Sequence, residues 1–222
     1  VAGDFFWMED SKDWTFFAVA DCTGHGVPGA LVSVVCHNAL NRSVREFELR
    51  EPGKILDKTR ELVIETFEKS EEEVKDGMDI ALCALNKKTK KLQFAGANNP
   101  LYHITELDEN VNERSVKDKT HYVHEVKADR QPIGKHSLEK SYSNHSLQLK
   151  PGDVIYLFSD GFADQFGGPK NKKFKYKPFK KLLLSIRDEE MEKQKELVLQ
   201  AFNEWKVEEE QIDDVCVMGV RV

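Results

Sequence analysis

The chain has 222 residues, enough to bury a hydrophobic core of its own, and its 39 acidic against 33 basic residues give a net charge of −6. This balance argues against a nucleic-acid partner, because neutralising phosphates requires a basic surface. No apolar run approaches the ~18 residues of a membrane span, and the N-terminus has no signal-peptide pattern. We therefore expect this segment to be cytoplasmic and to make no contact with a membrane, although the full-length protein could be membrane-anchored.

The first predicted elements are a β-hairpin and two helices. The run "WTFFAVAD" at residues 14–21 is rich in β-branched and aromatic side chains and is predicted to pair with "GDFFW" across the turn-like "MEDSKD". Apolar residues at helical spacing predict one helix over residues 29–48, and a second helix opens at Pro52. The loop "TGHGVPG" separates the strand from the first helix, so the strand ends at the carboxylate of Asp21.

From residue 79 onward the pattern changes to short strands. The runs "DIALCALN", "KLQFAGA" and "LYHITEL" are separated by turn residues, as in an antiparallel meander. The apolar strand "VIYLFS" ends at Asp160, and helices at about 178–187 and 189–206 precede a final strand, "VCVMGVRV". Many strands in meander order, with one helix pair early and one late, predict a single α+β domain over residues 1–222 with a β-sandwich at its centre.

The cysteines and the start of the chain bear on its context. The four cysteines lie in apolar runs without CxxC spacing, so we expect free thiols and a reducing compartment. The chain begins at Val1 without an initiator methionine, and we expect it to be the C-terminal part of a longer protein with further domains upstream.

Carboxylates gather at strand ends next to loops. Asp4, Asp21 and Asp160 each border an apolar run, and Asp213 and Asp214 precede the last strand. Any one of them is explained more simply as a turn residue, because aspartate is a common turn former. Together, and with glycines nearby that allow close approach, they favour a hard-cation site, since all-oxygen ligands select Mg²⁺ or Mn²⁺ and several carboxylates could hold two ions. Two such ions can deprotonate a water and stabilise an in-line displacement at phosphorus.

Six motifs occur here in the order found in a known family. The segments "AGDFFW", "VADCTGHGVPGAL", "LQFAGANNPLY", "QPIGKH", "LKPGDVIYLFSDGFAD" and "QIDDVCVMGVRV" resemble motifs of the SpoIIE-like branch of the bacterial PPM family, which are metal-dependent protein phosphatases. Members of the family remove phosphate from phosphoserine and phosphothreonine. The resemblance spans essentially the whole chain, and it implies a central β-sandwich of two antiparallel sheets flanked by helix pairs on both faces.

The resemblance also implies a set of ligands for two Mn²⁺ or Mg²⁺ ions. In this sequence Asp21 would bridge both ions, the backbone carbonyl of Cys22 would add a ligand, Asp4 would serve one ion, and Asp160 and Asp213 would serve the other.

Two choices stay open around this set. Asp213 is preferred over Asp214 because the first aspartate of the closing pair is the usual ligand in the family. A third ion could be held by Asp76 or Asp79 of "DGMDIAL", and the sequence does not distinguish them. A cap at the start of a strand is the simpler explanation for either residue.

The reaction implied by the resemblance is direct hydrolysis, in which a hydroxide bridging the two ions attacks a phosphomonoester and no phosphoenzyme forms. His25 could protonate the leaving serine oxygen or orient a metal-bound water, since imidazole titrates near neutral pH. Local hydrogen bonding at the start of a helix is the simpler role for His25. Cys22 is not followed by a Cys-x5-Arg loop, so we expect a packed thiol rather than a nucleophile. The turn "GANNP" lacks the histidine usual in the family, and we assign it no catalytic role.

Partners are expected by analogy with the family. The substrate would be a phosphoprotein, for example an anti-anti-sigma-type protein, and a sensor domain would precede this segment in a bacterial signalling protein. The basic loop "NKKFKYK" at residues 171–177 is explained most simply as a solvated loop, but its Phe174 and Tyr176 favour a surface that docks a phosphoprotein.

Two rival functions belong to different classes. The first is a catalytically weak or inactive PPM-fold scaffold that binds a partner protein, and the complete set of carboxylates argues against it. The second is another two-metal phosphoesterase such as a nuclease, which the acidic balance and the lack of a basic groove disfavour.

Overall fold

The structure is a computed structural model that describes residues 2–24, 26–68, 76–109, 111–137 and 140–222. The strands of this part of the chain are Phe5–Asp10 (β1), Trp14–Cys22 (β2), Met78–Asn86 (β3), Lys91–Ala97 (β4), Leu101–Glu106 (β5), His121–Val126 (β6), His145–Gln148 (β7), Val154–Phe158 (β8), Phe166–Gly167 (β9), Lys172–Lys173 (β10) and Val217–Arg221 (β11). The helices are Gly26–Arg45 (α1), Pro52–Phe67 (α2), Gly161–Asp164 (α3), Tyr176–Ser185 (α4) and Met191–Lys206 (α5).

Two antiparallel sheets form the centre of the molecule. The first sheet has the order β1-β2-β3-β4-β7, and the second has the order β11-β8-β5-β6. A separate two-stranded hairpin pairs β9 with β10. The sheets pack face to face because alternate residues of each strand are apolar on the inner side, as in other β-sandwiches.

Strand β2 contributes side chains to two layers of the core, one between the first sheet and its helices and one between the two sheets. Phe16 is buried beneath α1 and α2 on the outer face of the first sheet, together with alternate residues of β2 and the apolar sides of both helices. Phe17 points the other way, into the layer between the sheets, where Phe94 and Leu157 are also buried. This alternation follows from the two-residue period of a strand, and it explains why β2 reads as a continuous apolar run.

The outer face of the second sheet carries the late helices. An aromatic cluster there includes Phe158 of β8, Phe162 of α3, Phe179 of α4 and Phe202 of α5. The rings of Phe162 and Phe179 stack with their centroids 4.6 Å apart. The layers therefore run helix pair, sheet, sheet, helix pair, which confirms the predicted β-sandwich with helices on both faces.

The boundaries of several elements differ from the prediction. Helix α1 starts at Gly26, earlier than residue 29, because the helical backbone extends into the glycine-rich loop. Strand β1 extends to Asp10, so the hairpin turn is shorter than "MEDSKD". The short helix α3 directly after Asp160 was not predicted, since four residues carry no periodic signal. None of the helices in the described ranges combines the length and the apolar character that a membrane crossing would need.

All four cysteines are free, as predicted. Cys22, Cys36 and Cys83 are buried, whereas Cys216 is half-buried.

Candidate active site

The antiparallel pairing brings the predicted carboxylates to one end of the sandwich. Asp4 precedes β1 and Asp21 lies at the end of β2, and these ends are neighbours because Phe5 pairs with Ala20. In the second sheet, β8 ends before Asp160 where β11 begins, since Phe158 pairs with Val217. Segments that are far apart in sequence thus meet at the same edge.

A cavity of about 740 Å³ opens at this end of the sandwich. It is lined by Asp21, Cys22, Thr23, Gly24, Asp79, Asp160, Gln211, Ile212, Asp213 and Asp214. Five of the ten lining residues are aspartates, so the cavity concentrates negative charge. Asp4 is not part of the lining, but its carboxyl lies against the side chains of Asp21 and Ser159.

Asp21 is the centre of this charge. Burial, followed by the nearby carboxylates of Asp4, Asp160 and Asp213, raises the pKa of Asp21 to about 8. Its backbone pairs across the sheet with Asp79, which brings a further carboxylate to the same face of the cavity. A carboxylate surrounded by others favours either a proton or a bound cation over an empty, fully ionised state.

Two buried oxygens in the cluster lack a hydrogen-bond partner within the described chain: Oδ2 of Asp4 and Oδ1 of Asp160. Burial raises the pKa of both carboxyls, and neighbouring aspartates reinforce the effect. Buried polar atoms are nearly always paired, and an unpaired one calls for an explanation such as an ion. An all-oxygen donor set with unpartnered carboxylate oxygens fits hard divalent cations such as Mg²⁺ or Mn²⁺.

The carboxylates of the cluster are not arranged at coordination distance around one point. Among the residues that the structure describes, no three His, Cys, Asp or Glu side chains form a group that could hold an ion as they stand. The carboxylates instead surround an open cavity. Small side-chain rotations on binding would be needed to bring their oxygens onto a common ion.

The closing aspartate pair is held against the start of the chain. The N–H of Gly3 donates to Oδ2 of Asp214 (2.6 Å), and the N–H of Asp214 donates to Oδ1 of Asp213 (2.9 Å). Asp213 is exposed in the cavity, whereas Asp214 is half-buried and occupied by Gly3. This arrangement leaves the carboxylate of Asp213 the freer of the two, and the choice of Asp213 as a ligand stays a prediction.

Gly161 allows the closing pair to approach Asp160. A Cβ added at Gly161 would lie 2.0 Å from the carbonyl oxygen of Asp214, far inside van der Waals contact. Only glycine can therefore follow Asp160 while the backbone of Asp214 passes this close. The "SDG" of the sequence is thus a packing requirement of the site.

The structure separates the two candidates for a third ion. Asp79 lines the cavity and accepts a hydrogen bond from the side-chain amide of Asn98 (2.8 Å), whereas Asp76 is not among the lining residues. Burial raises the pKa of Asp79, the bond from Asn98 opposes this, and Asp160 adds to it.

Asn98 contacts the candidate site, a position that the sequence did not reveal. It lies in the turn "GANNP", to which no role was assigned, and it adopts a positive φ of 57°. Asparagine tolerates this left-handed conformation, so the "NN" of the turn was the available signal.

The structure bears on the predictions for Cys22 but not on those for His25. The Cys22 thiol is buried and its pKa lies well above the usual value, first because of its hydrogen bond with Cys36 and then because of burial. A thiol of this kind is a poor nucleophile. The Cys22 carbonyl oxygen lies at the cavity beside Gly3, 3.2 Å from where a Cβ would project. His25 falls outside the described residues, so its proposed role stays a prediction.

Comparisons with known proteins agree with this geometry. A family model described as stage II sporulation protein E (SpoIIE) matches residues 11–222. No curated protein sequence gives a significant match. The solved SiaA-PP2C domain of Pseudomonas aeruginosa superposes with a TM-score of 0.83 at 28% identity, over 100% of this chain and 81% of that one.

Two further structures share the fold at lower identity. The RsbU and RsbW domains of Rv1364c from Mycobacterium tuberculosis match with a TM-score of 0.73 and 19% identity, over 100% of this chain and 55% of that one. RsbX in complex with magnesium matches with a TM-score of 0.60 and 13% identity, over 100% of this chain and 88% of that one. Because the family model covers nearly the whole sequence, and the fold is that of PP2C phosphatase domains, the chain belongs to the SpoIIE family.

Proposed function

We propose that this domain is a protein serine/threonine phosphatase that depends on two divalent ions, Mn²⁺ or Mg²⁺. The observation that carries the proposal is the convergence of five aspartates on one cavity, with unpartnered buried oxygens on Asp4 and Asp160 beside it. Membership of the SpoIIE family and the PP2C-type fold support a phosphatase role. A magnesium complex of the structural neighbour RsbX supports the class of ion.

The residues divide into ligands and supports. Asp21 is proposed to contact both ions, with Asp4 and the Cys22 carbonyl on one side and Asp160 and Asp213 on the other. When bound, the ions would lower the pKa of a water and neutralise charge on the phosphate oxygens. Asp79 is the residue we propose for any third ion, because it lines the cavity where Asp76 does not.

The protein itself supplies position and a favourable environment. Gly161 lets the closing pair reach Asp160, and Gly3 orients the Asp214 carboxylate through its N–H. The buried strands β2 and β8 fix the backbone of Asp21 and the backbone next to Asp160, so the side chains of these two residues start from a defined position. We retain for His25 the proposed role of proton donor to the leaving oxygen.

The substrate is proposed to be a phosphoprotein in a signalling pathway, such as an anti-anti-sigma-type protein. A structural neighbour that contains RsbU and RsbW domains supports a partner-protein setting of this kind. We also propose that the segment is one domain, 1–222, of a longer protein with a sensor domain upstream, and that it acts in the cytoplasm.

The test is metal-dependent hydrolysis by a matched pair of variants. p-Nitrophenyl phosphate and a phosphoserine protein are assayed with Mn²⁺, Mg²⁺ or EDTA, using wild type, Asp21→Ala and the control Asp188→Ala. Asp188 is exposed and lies outside the cavity. We expect Mn²⁺-dependent turnover that Asp21→Ala abolishes and Asp188→Ala retains. A folded wild type without turnover under any metal condition would favour the scaffold alternative.

A further inference from the structure

A strip of positive charge lies on the loop that packs against the segment after Asp160. We call it the lysine strip and define it as Lys172, Lys173, Lys175, Lys177 and Lys181, which are exposed on β10, on the residue before α4 and on α4 itself. The chain as a whole has a net charge of −6, so such a concentration of cations contrasts with its surroundings.

The strip is fixed to the segment that follows Asp160. The N–H of Lys175 donates to the carbonyl of Ala163 (2.7 Å), and the N–H of Phe174 donates to the carbonyl of Gln165 (3.0 Å). The ring of Phe174 packs edge-on against Phe162, with centroids 5.1 Å apart. This loop is therefore anchored to α3, which begins directly after the proposed ligand Asp160.

One end of the strip lies beside α3, the short helix that follows Asp160. Lys173 donates to Asp164 at 2.7 Å, within the helix that starts after Asp160. Next to it, burial followed by the carboxylates of Asp160, Asp164, Asp21 and Asp79 raises the pKa of Tyr176 to about 12. Tyr176, which lies between Lys175 and Lys177 in the chain, is thus close enough to interact with three carboxylates that line the cavity.

The other end of the strip enters a groove of about 690 Å³. Lys177 and Lys181, one turn apart on α4, line this groove with Arg114 and Lys117 on the opposite side. Of its two carboxylates, that of Asp118 is already paired with Arg187 at 2.6 Å. The groove therefore carries a surplus of positive charge, and the start of α4 joins it to the loop that holds Lys173 and Lys175.

Most of the strip is available to a partner. Lys172, Lys177 and Lys181 make no ion pair with any residue in the ranges that the structure describes, whereas Lys173 is paired with Asp164. A lysine that is already paired with a carboxylate of the chain is less available to an anionic ligand. Unpaired lysines on an anchored backbone provide a preformed surface for an anionic ligand.

We propose that the lysine strip docks acidic residues flanking the phosphorylated serine or threonine of the protein substrate. This inference rests on the proposed phosphatase function, and it specifies the substrate class as phosphoproteins with an acidic flank. The negative potential of the acidic cavity alone would repel an acidic segment. The lysines of the strip supply a positive potential beside α3 that attracts it. The lysines lie outside the cavity where the reaction is proposed to occur, so docking governs KM and binding rather than the chemical step. Exposed ion pairs are screened by salt, so the docking weakens as the salt concentration rises.

The experiment compares two triple variants with equal charge change. Lys172→Gln/Lys177→Gln/Lys181→Gln removes three of the four strip lysines that make no ion pair in the described ranges, and it leaves Lys175 in place. The matched control, Lys12→Gln/Lys54→Gln/Lys91→Gln, removes three exposed lysines outside both the cavity and the groove. Two phosphoserine peptides of equal length, one with an acidic and one with a neutral flank, are the probes.

Binding and turnover are both measured. Fluorescence anisotropy in EDTA at low salt gives peptide affinity without catalysis, and kcat/KM with Mn²⁺ gives the acidic-to-neutral preference. In the strip variant we expect this preference and the affinity for the acidic peptide to fall about tenfold, roughly twofold for each exposed ion pair lost. The control variant should keep the wild-type preference, and added salt should erase the difference.

The two possible failures are distinguishable. If the strip variant binds the acidic peptide as tightly as wild type does, the docking inference is wrong, whatever the activity. If wild type hydrolyses nothing but still prefers the acidic peptide in the binding assay, the strip docks acidic segments and the phosphatase proposal fails.

Discussion

Replacing Asp21 by asparagine should make the metal-free protein more stable while it abolishes metal binding. In the native fold the Asp21 carboxylate is half-buried among other carboxylates, and its pKa is raised to about 8. In the unfolded chain an aspartate has a pKa of about 3.9. The folded state therefore binds the Asp21 proton more tightly, so the stability of the metal-free protein declines as pH rises from about 4 to 8.

The magnitude follows from the difference between the two pKa values. A difference of about four pKa units corresponds to about 6 kcal/mol at pH 8, because each unit is worth 1.36 kcal/mol. Asp21 borders an open, water-filled cavity, and solvent screening reduces this figure, so we take roughly 2 kcal/mol. For a chain of this length that is a rise in Tm of about 4–8 °C.

The assay is thermal unfolding of wild type and Asp21→Asn in EDTA from pH 5 to 8, followed by a second series with excess Mn²⁺. Taking the difference between the two proteins cancels the titration of other groups. We expect the variant to be the more stable at pH 8 and the difference to shrink toward pH 5. With Mn²⁺ the order should reverse, since bound ions stabilise only a protein that can bind them.

A difference that stays flat across this pH range would refute the reasoning. It would mean that Asp21 does not repel its neighbours and that no ion is needed to hold the cluster together. Asp188→Asn serves as the control, because this exposed carboxylate lies outside the cluster and should leave both series unchanged.

Three other substitutions probe the packing that supports the site. Gly161→Ala places a Cβ 2.0 Å from the Asp214 carbonyl oxygen, so Mn²⁺ affinity in calorimetry should fall at least about tenfold; unchanged affinity would contradict the packing role of this glycine. Asp153→Asn replaces the hydrogen bond between the Asp153 carboxylate and the buried His103, 2.7 Å away, by a neutral one and should cost about 2 kcal/mol in urea unfolding at pH 7. Burial alone would raise the pKa of Asp153, but its hydrogen bonds lower it overall, so this contribution is lost as pH falls below about 4 and the two proteins should then converge. Phe162→Ala should cost about 3–4 kcal/mol by the same assay, and a loss below about 1 kcal/mol would show that the aromatic cluster repacks.

Much of the fold could be predicted from the sequence because its signals are local. The β-branched and aromatic residues of "WTFFAVAD" and the turn residues between short strands indicate strands and hairpins, and Pro52 marks the start of α2. Helix α3 and the exact start of α1 escaped prediction, since four residues have no period and glycines permit several conformations.

Some residues of the candidate site could also be proposed from local sequence signals, and others could not. Asp4, Asp21 and Asp160 were proposed because a charged residue next to an apolar strand is conspicuous in sequence, whereas Asp213 was preferred over Asp214 through the family resemblance. The contact of Asn98 was not predicted, because its bond to Asp79 exists only once strand β4, which precedes Asn98, pairs with β3.

The sequence by itself determined which residues are chemically suited to bind hard cations and which segments are buried. Only the tertiary structure decided that Asp79 rather than Asp76 faces the cavity, and that the loop of the lysine strip packs against the helix that follows Asp160. The physical reason is that hydrophobic periodicity acts between near neighbours in the chain. The meeting of strand ends more than a hundred residues apart is decided instead by sheet order and the close approach that glycines such as Gly161 permit.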